Sequence, residues 1–103
     1  MNHPHKRESF AVLCNAMAHP SRLAVLEYLA SVPGCYFAEI CLNIPLAKST
    51  ISQHLKILRE SGLVTERAEG TKVYYAIERE KWREAKGDFA DFFANIYRER
   101  GLI

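Results

Sequence analysis

At 103 residues, with 49% apolar and 25% charged side chains, the chain can build one modest globular domain and little more. A formal charge of +2 is too small to identify a polyanion partner by itself, so the placement of the cations has to decide that question. Nowhere do the roughly 18 apolar residues of a membrane span run together, and MNHPHKRESF lacks the apolar stretch of a secretory signal. The expectation is a cytoplasmic protein with no membrane partner.

Cys14, Cys35 and Cys41 are an odd set at irregular spacing with no CxxC, which suits reduced thiols better than a disulfide framework. No repeat or linker divides the chain, so residues 1–103 are read as a single domain with 1–6 as a disordered tail. A domain of this size buries only about two-thirds of its surface, and self-association is the obvious supplement. A homo-oligomer is expected.

In chain order, Phe10, Leu13, Cys14 and Met17 fall at i, i+3, i+4 and i+7 and predict a first amphipathic helix over 7–18. Pro20 suits the first position of a second helix lined by Leu23, Leu26 and Leu29, with His19 a mediocre cap and Pro33-Gly34 the stop. Phe37, Ile40, Cys41 and Ile44 give a third helix of about two turns, closed by Pro45. From Lys48, residues Ile51, Leu55 and Leu58 share one face of a fourth helix that ends at Ser61-Gly62. The period then drops to two. Leu63 to Arg67 and Lys72 to Ile77, around Ala68-Glu69-Gly70-Thr71, read as a hairpin. Trp82, Ala85, Phe89, Phe92, Phe93, Ile96 and Tyr97 mark a long last helix, weakened at Gly87. The fold class is mainly α with a β-hairpin, in the order ααααββα.

Two helices joined by a tight turn, the second apolar on one side only, form a helix-turn-helix whose second member enters the DNA major groove. With Ile51, Leu55 and Leu58 inward, Lys48, Ser49, Ser52, Gln53 and Lys56 face outward, with Thr50 beside them. They are donors, acceptors and cations suited to base edges and phosphates. Gln53 can pair bidentately with adenine, and the two serines are short enough for close backbone approach. His54 falls at the edge of the apolar face, either a hydrogen-bonded structural histidine or a further DNA contact. Arg67 and Lys72 flank the hairpin tip and offer cations to the DNA backbone. A groove helix beside a basic hairpin is a winged helix. On alternating strand positions, at least one of Tyr74 and Tyr75 belongs to the core.

Ala18-His19-Pro20-Ser21-Arg22-Leu23 with Val25-Leu26, Glu39-Ile40, Ser49 through Leu58, Ser61-Gly62-Leu63-Val64 and Gly70 through Tyr75 together resemble the signature segments of the ArsR (arsenical-resistance repressor) class of winged-helix regulators. The resemblance covers nearly the whole chain. It implies a homodimeric repressor on an inverted-repeat operator in double-stranded DNA, released by an inducer, with dimerisation through the first and last helices. Phe10, Leu13, Phe89, Phe92, Phe93, Ile96 and Tyr97 are then the candidate dimer interface, although such a stripe also suits intramolecular core. Two departures stand out. Ala47 replaces the family's capping serine or threonine, and Thr71 stands after the wing glycine where arginine is common.

Many relatives respond to metals, and the resemblance lets their ligand sets be compared. In the third-helix motif Glu-Leu-Cys-Val-Cys-Asp, Cys41 keeps the first thiol and Asn43 replaces the second. Residues 79–103 contain no histidine for a last-helix site, and Asp88 with Asp91 is a poor set for zinc or nickel. Cys35 and Cys41, with His3 and His5 of the tail, remain as candidate sensor ligands for oxidation or for a soft metal or metalloid ion. The competing account is inert core thiols, and no resident cofactor is expected. A second functional reading is a winged helix used as a protein-protein interaction module without specific DNA binding. The outward polar set argues for DNA, because protein-binding surfaces carry apolar anchors. With no phosphate loop, no paired carboxylates in a cleft and no organised nucleophile, the chain is not read as an enzyme.

Overall fold

The structure is a computed structural model that describes residues 4–101. Its elements are α1 (Pro4–Met17), α2 (Pro20–Ala30), β1 (Cys35–Tyr36), α3 (Phe37–Asn43), α4 (Lys48–Glu60), β2 (Val64–Glu69), β3 (Lys72–Ile77) and α5 (Arg79–Arg100). The predicted helices and hairpin are present, with three differences. Helix α1 begins at Pro4, so residues 4–6, expected in a tail, start the helix. The first hairpin strand runs two residues further, to Glu69, which lies opposite Lys72 at a tip of Gly70-Thr71, while the second spans Lys72 to Ile77 as expected. A two-residue strand, β1, precedes α3 and pairs antiparallel with β3, giving the sheet order β1-β3-β2. His3 lies outside the described residues, as does the side chain of His5.

Local chemistry sets each helix boundary near the DNA-facing candidates. His19 is extended and its Nδ1 accepts from the Ser21 N–H at 3.1 Å, with Pro20 in the first turn, so the mediocre cap does function. Helix α1 has no cation in its last turn, and Arg22 of α2 supplies one. Its Nε donates to the Ala16 carbonyl at 2.7 Å and Nη2 to the Asn15 carbonyl at 3.0 Å, which fixes the angle between the two helices. At the end of α4, the Gly62 N–H bonds Arg59 O at 3.0 Å and the Leu63 N–H bonds Leu58 O at 3.2 Å. This is a Schellman closure with Gly62 at φ +86°, a left-handed conformation that glycine adopts without a Cβ clash.

The core lies where α1, α2, α3, α4 and the sheet meet, centred on Val25, Leu29, Ile40, Ile51, Leu55 and Leu58, all essentially without exposed surface. Tyr75 is buried there, whereas Tyr74 points to the other face of the sheet. Trp82 locks the start of α5 by donating from Nε1 to the Leu63 carbonyl at 3.1 Å. Beyond that anchor, α5 packs chiefly on α1 and gives the chain its elongated extents of 52 × 24 × 21 Å. No helix among the described residues is long and apolar enough to cross a membrane.

Ala47 is the N-cap of α4 and accepts no side-chain hydrogen bond, so amide groups of the first turn lack that partner. Its backbone is already extended, as a capping serine needs. Ala47→Ser is expected to raise unfolding free energy by about 1 kcal/mol, read as a higher urea midpoint at unchanged slope; an unchanged midpoint would mean that the first turn is already satisfied.

Candidate nucleic-acid interface

Helix α4 is two-sided. Ile51, Leu55 and Leu58 are buried against α2 and the sheet, while Lys48, Ser49, Thr50, Ser52, Gln53 and Lys56 are all exposed. Ser49, Ser52, Gln53 and Lys56 fall at i, i+3, i+4 and i+7, so they form one continuous row along the helix. That row contains no apolar side chain. His54 does not belong to it. The imidazole is 6% exposed, stacks 4.9 Å from the His19 ring and finds no hydrogen-bond partner for either nitrogen among the described residues. It therefore corrects the expected DNA contact and is not the hydrogen-bonded structural histidine either. It packs α4 onto the start of α2.

The hairpin carries Arg67 and Lys72 near its tip, and both are engaged by neighbouring side chains. The Nε of Arg67 donates to Glu69 Oε2 at 3.1 Å, with Nη2 on the same oxygen, and its guanidinium lies 4.7 Å from the Tyr74 ring centre. The other Glu69 oxygen accepts from the Tyr36 hydroxyl at 2.9 Å. Lys72 Nζ sits 5.1 Å over the Tyr36 ring. These ties hold the Glu69 carboxyl below the usual carboxylate range, through Arg67 first and Tyr36 second, and push the Tyr36 phenol up. At the hairpin base, the Tyr75 hydroxyl donates to Glu66 at 2.8 Å and Arg59 of α4 pairs with Glu66 at 3.3 Å, joining wing and helix. Neither Glu69 nor Tyr36 is distinguishable as part of this site from linear spacing, since they are 33 residues apart.

The terminal helices present the second surface. Two of its expected residues turn inward. Leu13 is 2% exposed in the core, and Phe10 is covered by its own chain, between Phe89 at 4.8 Å and Phe92 at 5.0 Å. Phe92, Phe93, Ile96 and Tyr97 remain exposed, Phe93 by 55%, and Val12 of α1 is 52% exposed as well. Val12 falls off the Phe10–Leu13–Met17 stripe of α1, so periodicity gives no hint of its role.

The family model for bacterial regulatory proteins of the arsR family matches residues 19–66. The HTH-type transcriptional regulator YgaV of Escherichia coli (strain K12) is 36% identical over 73 residues, covering 71% of this chain and 74% of that protein. This chain belongs to the ArsR family. The HTH-type transcriptional regulator CmtR of Mycobacterium tuberculosis is 33% identical over 84 residues, 81% of this chain and 70% of the relative. Among solved structures, HlyU from Vibrio cholerae N16961 superposes with a TM-score of 0.69 at 30% identity, over 82% of this chain and 91% of that one. An ArsR-like transcriptional regulator from Rhodococcus sp. RHA1 shares the fold at TM-score 0.80 and 18% identity, over 93% and 90% of the two chains. This ArsR-family chain is thus a DNA-binding transcriptional regulator with a winged helix-turn-helix, not an enzyme.

The two candidate sensor thiols of this ArsR-family member, Cys35 and Cys41, differ in exposure. Cys35 is 2% exposed, and burial, followed by the neighbouring Glu39, pushes its thiol up. A reactive thiolate needs the opposite conditions. Cys14 and Cys41 are half-buried, and Asn43, in place of the family's second thiol, donates to Tyr28 and to the Glu39 carbonyl. Among the described residues no three His, Cys, Asp or Glu side chains are grouped to hold a metal ion. Asp88 and Asp91 share a shallow surface cleft with Lys6 and Arg98.

His54 makes the α2–α4 junction sensitive to protons. Burial first, then the adjacent His19 and Arg22, hold its imidazole below the usual 6.5. The unfolded chain then binds the proton more readily than the fold does. Stability is complete above that value, falls as pH drops through it, and levels off once the folded imidazole also titrates. The urea midpoint is expected to fall between about pH 7.5 and about pH 5.5, and to fall less in His54→Leu; identical pH slopes would remove His54 as the cause.

Proposed function

We propose that the protein is a homodimeric, sequence-specific repressor that acts in the cytoplasm on an inverted-repeat operator and leaves it when an inducer binds. The observation that carries this reading is the uninterrupted polar row of α4 beside a wing bearing cations. A helix so arranged fits the major groove, with Gln53 reading an adenine edge and Ser49, Ser52 and Thr50 allowing close approach. Lys48, Lys56, Arg67 and Lys72 would engage phosphates and supply affinity without reading sequence. An interaction module would be expected to carry apolar anchors on this face, and it has none.

Dimerisation is supported by the exposed aromatic face of α5. Phe92, Phe93, Ile96 and Tyr97 leave on one helix an exposed apolar surface of the kind monomers rarely leave in water. To read an inverted repeat, the two-fold pair would hold its two copies of α4 about one DNA turn, ~34 Å, apart. An inducer would act by changing that spacing. Of the two candidate sensor thiols, Cys41 is the more accessible, since Cys35 is enclosed.

With duplexes selected from a random pool, Gln53→Ala is expected to cut discrimination against random DNA by about 1–3 kcal/mol, whereas Lys72→Ala weakens both alike and lowers the salt slope by about 1. Equal losses from the two variants on both DNAs would contradict the assignment. In sedimentation at micromolar concentration the protein is expected at twice the chain mass and Phe93→Asp at the chain mass; a monomeric parent protein would remove the dimer.

A further inference from the structure

We propose that Glu69 is an internal competitor for the DNA backbone: its carboxylate occupies the Arg67 guanidinium in the free protein, and a phosphate must displace it. The inference deepens the DNA-binding reading and rests on it. The strand register places the participants in one cluster. Arg67, Tyr74 and Tyr36 are directly opposite one another across β2, β3 and β1, and Glu69 faces Lys72 in the next row. Arg67 and Glu69 are two apart on β2, so they share the face opposite the buried Tyr75.

Within this cluster each group is held by another. Tyr36 fixes one carboxylate oxygen at 2.9 Å, leaving the second for Arg67 at 3.1 Å, while the Tyr74 ring backs the guanidinium at 4.7 Å. Gly34 leaves the Tyr74 ring its place, since a Cβ there would overlap it. A guanidinium receives carboxylate and phosphate oxygens through the same N–H edge, and Glu69 Oε2 holds the Nε–Nη2 edge of Arg67, so it stands where a backbone phosphate oxygen would bind. Arg67 is nevertheless exposed, and the exchange needs no unfolding. Its energetic weight is that of a surface ion pair, which corresponds to a several-fold change in affinity. Because phosphates carry no sequence information, the carboxylate lowers affinity for all DNA alike and limits occupancy of random sites.

The test measures anisotropy of labelled random and selected duplexes across a salt series for the parent protein, Glu69→Gln, Arg67→Gln and the double variant. Glu69→Gln is expected to tighten both duplexes by about three- to fivefold at low salt, with a salt slope close to the parent's because Arg67 meets the same phosphate in both. In the Arg67→Gln background the gain should vanish. Glu69→Asp, which keeps the charge but falls a methylene short of bridging Tyr36 and Arg67, should show part of the gain. An equal gain in both backgrounds overturns the proposal, because it reports charge removal alone; so does weaker binding by Glu69→Gln, which would make the carboxylate a guide for Arg67. If the parent protein binds neither duplex at any salt, the DNA-binding reading itself fails and takes the inference with it.

Discussion

Burial of the Ile51–Leu55–Leu58 face of α4 is the constraint on which the rest of the molecule depends. These three side chains have at most 1% of their surface in water, and each contributes on the order of 1.5–3 kcal/mol by leaving it. A helix pinned on one side along its length cannot rotate. Whatever occupies the opposite side is therefore presented in a fixed register, and in this chain that is Ser49, Ser52, Gln53 and Lys56. Function follows from packing that never touches the partner.

Every neighbouring element reinforces that orientation. Arg22 ties the end of α1 to α2, and His19 both caps α2 and stacks on His54 of α4. From the other end, the Schellman turn hands the chain directly to β2, while the Arg59–Glu66–Tyr75 chain joins helix and sheet. The wing is consequently rigid at its base and crowded at its tip, where two cations, a carboxylate and two phenols satisfy one another. Such a tip offers charge to a backbone only by exchanging internal partners for external ones.

Much of this was legible in the sequence, and the exceptions share a cause. Runs with a strong period, such as Lys48 to Glu60 or the two hairpin strands, declare themselves because local geometry alone sorts their side chains. The strand Cys35–Tyr36 is too short to show a period and exists only through pairing with β3. His54 sits at the edge of the helical wheel, and its burial depends on His19, 35 positions earlier. The inward turn of Leu13 and Phe10 and the exposure of Val12 depend on how α5 crosses α1, which neither helix specifies alone. Likewise Arg67 and Lys72 are recognisable as cations near a turn, whereas their engagement by Glu69, Tyr36 and Tyr74 needs the three-stranded register.

Backbone amide shifts, followed by NMR while a selected operator duplex is titrated into the protein, test the central claim most directly. The largest changes are expected on Lys48 through Lys56 and on the wing from Arg67 to Lys72, with the solvent face of α5 unaffected. Changes concentrated on Phe92 to Tyr97, with α4 silent, would show that the polar row is ordinary solvated surface and that DNA meets this protein elsewhere.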